Sequence, residues 1–493
     1  MSAKKTDATL HWLLTIILIV ALSLILIVFA STNIEKLSLQ QRIANKNQAL
    51  TTTAIVFLGL AVALNAYYAA KRNQVMERNA ITAEKTLAIG IENTKLTQDK
   101  LIAERFIGSI AQLGHEKVET RIGAIYALER IAQDFPQEHW TIMEILTAFV
   151  RENAPVQPER KPQKPEDIMA IDFGKNRDRV RRQQSVDYSL SWESFKLRTD
   201  IQAALTVIGR RNFQQDRENQ KLDLRNTDIR RVDLAGGKLQ RVDLRGSDLC
   251  GADLREVDLS EADLDGAKLI GSILYEANLF KASLRGVNLN RANLNLANLY
   301  GVNLRSANLC GASLRSANLQ AANLYKANLQ QATLKAANLS GAKLFLANLQ
   351  GAKLGKTNLS SAGLTAANLE GANLNGANLQ GANLNAAKLQ QTDIYFANLS
   401  EASLTEADLH NANLMGANLS LATLDEADLS WANLMGANLS GAHLCDVKLT
   451  GAILTGAKNL ESEQIVMALG DWTTRLPDYI DYIEAPASWL QSV

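Results

Sequence analysis

Leucine returns at every fifth residue for nearly half of this chain. From Leu224 to Leu454 the position is filled 47 times without a gap, by Leu everywhere except Ile229 and Ile394. Two residues before each Leu the side chain is almost always small, as at Ala252, Ala292, Ala317, Ala372 and Ala437. The remaining positions are mostly Asn, Asp, Gln, Ser, Lys, Arg or Gly. A period of five fits neither a helix, near 3.6, nor a single strand, near 2. It fits a chain that turns a corner in every pentapeptide. Leu then fills the centre and the small residue packs beside it. The Asn or Asp between them points out, where its side chain can hydrogen-bond backbone at the turn. Four corners would close a coil in about 20 residues and three in about 15, and the five-residue period alone allows both.

The run A-(N/D)-L-x-x resembles the pentapeptide-repeat family, and the resemblance covers residues 221–456. It implies a right-handed quadrilateral parallel β-helix (a pentapeptide-repeat solenoid) of about 12 coils, roughly 55 Å long at about 4.8 Å per coil. Both ends of such a rod expose core and unpaired backbone, so both require caps.

Composition agrees with a repeat scaffold rather than a conventional large enzyme: 493 residues, 7 Pro, 5% aromatic residues and a net charge of +1. Neither charge pole points to a partner. Cys250, Cys310 and Cys445 each follow a repeat Leu and are expected to face outward. Cys250 and Cys310 share a column but lie three coils apart, roughly 14 Å, beyond disulfide reach. Unpaired cysteines fit a reducing compartment.

The N-terminal third has a different organisation. Residues 11–30 and 51–70 contain no Asp, Glu, Lys or Arg. Each is long enough for a bilayer core, so region 1–70 reads as two transmembrane helices joined by a short hairpin. Lys4 and Lys5 before the first segment and "VFA" ending at Ala30 leave a cleaved signal peptide as an alternative. The outer flanks carry Lys4, Lys5, Lys71, Arg72, Arg78 and Lys85, against Lys36, Arg42 and Lys46 in the hairpin. This bias places the N- and C-termini in the cytoplasm, with the plasma or thylakoid membrane as the site.

Residues 71–153 read as a helical stalk followed by a HEAT-like helix pair. Val118, Ile122, Ile125, Leu128 and Ile131 share one helical face, and Ile142, Ile145, Leu146, Phe149 and Val150 another. Thr141 and Glu144 match a capping box. This pair resembles a module that precedes pentapeptide repeats in bacterial, especially cyanobacterial, membrane proteins. Residues 154–195 form a charged, Pro-containing linker with the basic run "RDRVRRQQ". Residues 196–220 supply an N-terminal capping helix over Thr199–Arg211. Residues 457–493 supply the C-terminal cap, with Ser462 capping a helix over "EQIVMALG" and Trp472 and Trp489 giving apolar bulk.

No catalytic constellation can be assembled, so the expectation is a non-enzyme with no catalytic residue, cofactor or metal. His443, Cys445 and Asp446 lack zinc-site spacing. "GKT" at Gly355–Thr357 mimics the end of a P-loop inside a repeat coil. Some pentapeptide-repeat proteins bind DNA gyrase as acidic, duplex-like rods. Residues 221–456 carry 21 Lys/Arg and 21 Asp/Glu, whereas a duplex mimic needs strong net negative charge. A gyrase-binding DNA mimic is therefore a remote alternative, and no nucleic acid is expected.

The charges are nevertheless segregated. From Lys281 to Lys356 there are ten basic residues and no acidic one, and from Glu401 to Asp446 seven acidic residues and no Lys or Arg. Glu406, Glu426 and Asp446 are twenty residues apart, as are Asp408 and Asp428. On four-sided coils they form an acidic stripe. Tyr395, Met415 and Met435 form an apolar column at the same spacing, and Phe280 with Tyr300 and Tyr325 with Phe345 form shorter pairs. These eight residues, from the stripe and the Tyr395 column, make the candidate partner surface. The expected function is a membrane-anchored scaffold presenting a β-helical rod on the cytoplasmic side to an unidentified protein. An assembly or regulatory factor for a membrane complex or transporter is the alternative. Homo-oligomers are left open.

The topology is directly testable. Ser38→Cys in the hairpin is expected to react with an impermeant thiol reagent in intact cells, while Cys310 stays unlabelled. Labelling of Cys310 alone would invert the assignment.

Overall fold

The computed structural model describes residues 2–32, 38–157, 193–217, 220–480 and Trp489. Lys36, the basic run of the expected linker and most of the chain after residue 480 lie outside the described residues. The chain divides into two compact units, Met1–Ala103 and Glu104–Val493.

The first unit holds α1 (Ser2–Thr32) and most of α2 (Leu39–Leu113). Among the described residues one helix, α2, is long and apolar enough to cross a membrane, and its apolar window is not buried within the protein. The apolar stretch of α1, Leu14–Ala30, is shorter. Large apolar side chains such as Trp12, Phe29, Ile55 and Leu58 face outward with no protein core to cover them.

The second unit is dominated by the solenoid. Parallel bridges join each outward residue to the one twenty positions on, from Asp223↔Asp243 through Asn438↔Lys458. The coil is therefore four-sided. Each side pairs through a single residue, because the chain turns again before a longer strand can form.

The pentapeptide around Leu309 shows why the corner closes. The Leu309 N–H donates to Asn328 O at 2.7 Å, Gly311 N–H to Gln330 O at 2.9 Å, and Asn308 N–H to Val287 O at 2.9 Å. These three bonds tie each coil to its neighbours. The Ala312 N–H closes the turn on Leu309 O at 3.0 Å. The last donor, Cys310 N–H, goes to the Asn308 side-chain Oδ1 at 3.2 Å. All five N–H groups are thus satisfied, four by carbonyls and one by the outward Asn. The Asn308 amide then donates to Asn288 Oδ1 at 3.2 Å, extending a ladder between coils.

The second residue after each repeat Leu has positive φ at every corner, from Asn226 at 54° to Gly456 at 66°. This is the left-handed residue of a type II turn. Gly adopts it freely, and other residues at a cost of about 1–2 kcal/mol. The repeat leucines and their small partners are buried throughout. Where the small position is polar, the hydroxyl is satisfied internally: Thr227 and Ser247 both donate to Leu224 O, and Thr357 of the GKT segment donates to Leu334 O at 2.8 Å.

Three helices close the N-terminal end: α3 (Val118–Asp134), α4 (His139–Asn153) and α5 (Thr199–Arg210). The α3–α4 pair follows the expected faces, with Ile125, Leu128, Ile142 and Leu146 buried, and Val118, Ile122 and Ile145 only partly covered. It does not stand apart from the rod, because both helices pack on α5. Ile201, Leu205 and Ile208 of α5 are buried, and Gly209 O accepts from Lys238 N–H at 2.7 Å. The expected capping box at Thr141 is absent, since α4 begins at His139 with no side-chain cap bond. The start of the expected linker is also paired: Val156 N–H donates to Asn226 O, and Asp228 N–H to Ala154 O, both at 2.7 Å. That covers an edge of the first coil that would otherwise be open.

Two buried ionic clusters hold this cap. Asp200 is fully buried and binds Arg121 at 2.7 Å and Arg198 at 2.6 Å. Burial pushes its carboxyl up, but hydrogen bonds and charge from the two arginines outweigh this and hold it below the usual carboxylate range. Asp216 joins buried His139 at 3.2 Å to buried Arg211 at 2.9 Å, and Arg211 donates on to Gln240 O of an early coil.

At the far end Glu461, rather than Ser462, caps the short helix α6 (Ser462–Val466), in a capping box with Gln464. Gln464 Nε2 also donates to Leu439 O and Ala442 O, and Tyr479 bonds both Leu460 N–H and Ala457 O. Trp489 is buried as expected, whereas Trp472 is 64% exposed and lies outside the cap core.

Two measurements test this packing. Leu374→Asp places an unpartnered charge among fully buried leucines and is expected to destabilise the central coils by more than about 3 kcal/mol. Gln380→Asp, on the exterior, is expected to stay within about 0.5 kcal/mol. Equal hydrogen-exchange protection in the two variants would contradict the inward assignment. For the cap, a lowered carboxyl pKa means that Asp200 contributes fully above its ordinary range near pH 4 and less as pH falls through its depressed value. Asp200→Asn is therefore expected to cost about 3 kcal/mol at neutral pH. The deficit should shrink in acid, read as exchange of the α5 amides.

Candidate partner surface of the solenoid

The twenty-residue coil places Glu406, Glu426 and Asp446 at one corner on successive coils, each exposed and each in the left-handed conformation. The ladder passes directly between them, from Glu406 N–H to Asp425 O and from Glu426 N–H to Cys445 O. Asp425 shares this corner and was not singled out from the sequence. The signal was available, since Asp425 and Glu426 are adjacent on the two corner positions. No Lys or Arg lies within ion-pair distance of Glu406, Asp425, Glu426 or Asp446 among the described residues. The field of this corner acts on Cys445. Its thiol meets Asp446 Oδ2 at 3.4 Å and is pushed up by that hydrogen bond, by desolvation and by the charges of Asp446, Asp425 and Glu426.

Asp408 and Asp428 occupy a separate column, on the side rather than the corner. They stack directly and lie between Lys388 below and Lys448 above. Asp408 bonds His410 Nδ1 at 2.7 Å, and Asp428 lies 3.6 Å from Lys448 Nζ. Burial raises the Asp428 carboxyl, but Ser430, Lys448 and His410 together hold it below its ordinary value. The expected single stripe is thus two columns, one unpaired at the corner and one compensated on the side.

The apolar column falls elsewhere. Tyr395, Met415 and Met435 lie ten residues, half a coil, from the Thr405, Asp425 and Cys445 positions, which is the diagonally opposite corner. Met435 is 43% exposed, and Tyr395 and Met415 are half-buried. Phe396, beside Tyr395 at a ring separation of 5.6 Å, is 65% exposed. Its ring lies over Gly416, where a Cβ would meet it at 2.5 Å. Trp431, 58% exposed, covers Gly451 in the same way. These large residues at left-handed corners were missed. Their signal is a large apolar residue two after the Leu with Gly twenty residues on, as in Phe396/Gly416, Leu421/Gly441 and Trp431/Gly451. The candidate residues therefore form two surfaces, not one.

The aromatic pairs also stack as expected. Phe280 and Tyr300, and Tyr325 and Phe345, each have ring centroids 5.6 Å apart. Arg305 and Lys326 both lie over Tyr325, at 5.1 and 5.2 Å from its centroid. Cys250 differs from expectation. It is buried between Arg230 and Ile270 of the adjacent coils, and burial with Asp248 pushes its thiol up to about 12. Cys310 and Cys445 remain partly exposed. Among the described residues no three His, Cys, Asp or Glu side chains converge on a metal-sized site.

The sequence model of the Pentapeptide repeats family matches in 8 copies, across residues 238–274, 277–315, 312–349, 342–381, 382–420 and 422–458. The chain is 36% identical to HetL from the cyanobacterium Nostoc sp. strain PCC 7120, over 48% of this chain and 90% of that one.

The chain belongs to the pentapeptide repeat family.

With that membership comes the right-handed sense of the β-helix. HetL is described as involved in heterocyst differentiation regulation, and its superposition has a TM-score of 0.26. Rfr23 from the cyanobacterium Cyanothece 51142 is 32% identical over 25% of this chain and 91% of its own, with a TM-score of 0.13. QnrB1, a plasmid-mediated fluoroquinolone resistance protein, is 16% identical over 35% of this chain and 89% of its own, with a TM-score of 0.22. No curated protein matches the chain.

Proposed function

We propose that this pentapeptide-repeat protein is a non-enzymatic, membrane-anchored scaffold. Its apolar N-terminal helices, spanning at 11–30 and 51–70, anchor it with both termini on the cytoplasmic side, and its solenoid offers a protein-binding surface. The observation that carries the reading is the apolar corner of the late coils. Phe396, Met435 and nearby Trp431 are all more than 40% exposed. Exposed apolar side chains held on a rigid rod are a common mark of protein contact. The neutral balance of the repeat region argues against a duplex mimic.

The reading is tested with full-length protein purified in mild detergent. Wild type is expected to bring down a stoichiometric protein partner, and Phe396→Ser with Met435→Ser to lose about tenfold or more of it, since interface anchors dominate affinity. Neither residue faces the core, so the double variant should keep its circular dichroism. Recovery of the same partners by both proteins would remove the apolar corner from function.

A further inference from the structure

The acidic corner continues, on the same edge of the rod, into a basic segment. Travelling up this edge, the corner positions read Arg305/Ser306, Tyr325/Lys326, Phe345/Leu346, Thr365/Ala366, Asn385/Ala386, Thr405/Glu406, Asp425/Glu426 and Cys445/Asp446. Earlier cations on the edge are already satisfied: Arg225 binds Asp223, Arg245 binds Asp243 and Arg285 binds Asp265. Arg305, Lys326 and the adjacent Lys343 have no carboxylate within ion-pair distance among the described residues. Cations and carboxylates are therefore left unpaired in two blocks on one edge, and the corner residues between them are small or short.

We infer that this edge pairs antiparallel with the same edge of a second copy. The two-fold centre falls between the Thr365/Ala366 and Asn385/Ala386 corners. Coil then meets coil in order: Tyr325/Lys326 against Asp425/Glu426, Arg305/Ser306 against Cys445/Asp446, and Phe345/Leu346 against Thr405/Glu406, where Lys343 lies on the same coil as Phe345. Each opposition occurs twice by symmetry, as an isologous interface requires. A parallel arrangement would instead set acid on acid and base on base. The small central residues let the edges approach, while the side chains of Phe345 and Leu346, each 41% exposed, are covered in the process.

The contact spans seven coil steps, about 34 Å, but is only a corner wide. It therefore falls below the roughly 800 Å² per partner of a standard stable interface. Such a dimer is weak and dominated by charge, so its affinity falls with salt. The inference rests on reading the acidic corner as a partner surface and names the partner. It does not involve the apolar corner on the opposite side of the coil.

The test is sedimentation velocity of full-length protein in detergent, at about 50 mM and about 500 mM salt. A dimer is expected at low salt, with Kd at least tenfold weaker at high salt. Replacing Glu406, Glu426 and Asp446 together by Gln should abolish it, as should Arg305→Glu with Lys326→Glu. Combining the latter pair with Asp425→Lys, Glu426→Lys and Asp446→Lys should restore it. Register is read separately: Ser306→Cys is expected to cross-link to Cys445 of the second copy with a short bismaleimide, while wild type is not. A monomer at low salt, a dimer indifferent to these reversals, or no Ser306→Cys cross-link would each overturn the pairing. In any of those cases, continued loss of a protein partner on Phe396→Ser with Met435→Ser would leave the scaffold reading standing.

Discussion

The solenoid depends on the hydrogen bond between an outward Asn or Asp and the N–H two residues on. Four of the five donors in each pentapeptide find carbonyls in the same or the adjacent coil. The fifth, immediately after the Leu, faces the turn and has no backbone partner. Cys310 N–H reaching Asn308 Oδ1, repeated as Ser360 to Asn358 and Ser430 to Asp428, closes that gap. A turn of this tightness with an orphan donor at each corner would be unfavourable many times over. Asn therefore recurs for a backbone reason, and its remaining amide donor builds the ladder between coils. Where the position is Lys or Ile, as at Lys268 and Ile273, that local acceptor is missing, and the neighbours carry the coil.

This constraint explains which features could be read from the sequence. Leu, its small companion and the outward Asn or Asp are each required by packing or by hydrogen bonding, so their order already implies a cornered coil and its interior. Whether the coil has three or four corners depends on which residues stack, and the Asp223↔Asp243 register settles it at twenty residues. The N-terminal helices were legible as amphipathic faces. Their joint packing was not, because it rests on Asp200 meeting Arg121, which is 79 residues away in sequence. The capping box at Thr141 failed for a similar reason. Pro136 starts a short 3-10 turn that leads directly into α4 at His139, so the helix begins before the motif.

The surface was legible in columns but not in relation. Spacing by twenty finds Glu406 with Glu426 and Tyr395 with Met415, yet whether two columns share a face depends on their offset within the coil. An offset of half a coil separates the acidic and apolar sets completely. The burial of Cys250 likewise depends on neighbours one coil away, Arg230 and Ile270, rather than on its own place after Leu249. Identical positions in the repeat therefore carry different chemistry: the thiol of Cys250 is raised by burial first, and that of Cys445 by a hydrogen bond and an acidic corner.

The corner position two after the Leu tolerates variety, and this has a functional consequence. Its backbone is left-handed throughout, which favours Gly, yet Phe396, Leu421 and Trp431 occupy it with their side chains in solvent. Each sits below a Gly on the next coil, whose missing Cβ makes room for the ring or branched chain. The backbone strain of a large residue there brings no interior packing in return, since the interior is already filled by Leu and Ala. A rod built only for stability would carry Gly or Asn at these corners. Large apolar groups held outward at a conformational cost, concentrated in the same late coils that carry the unpaired acidic edge, are better explained by contacts made outside the chain than by contacts within it.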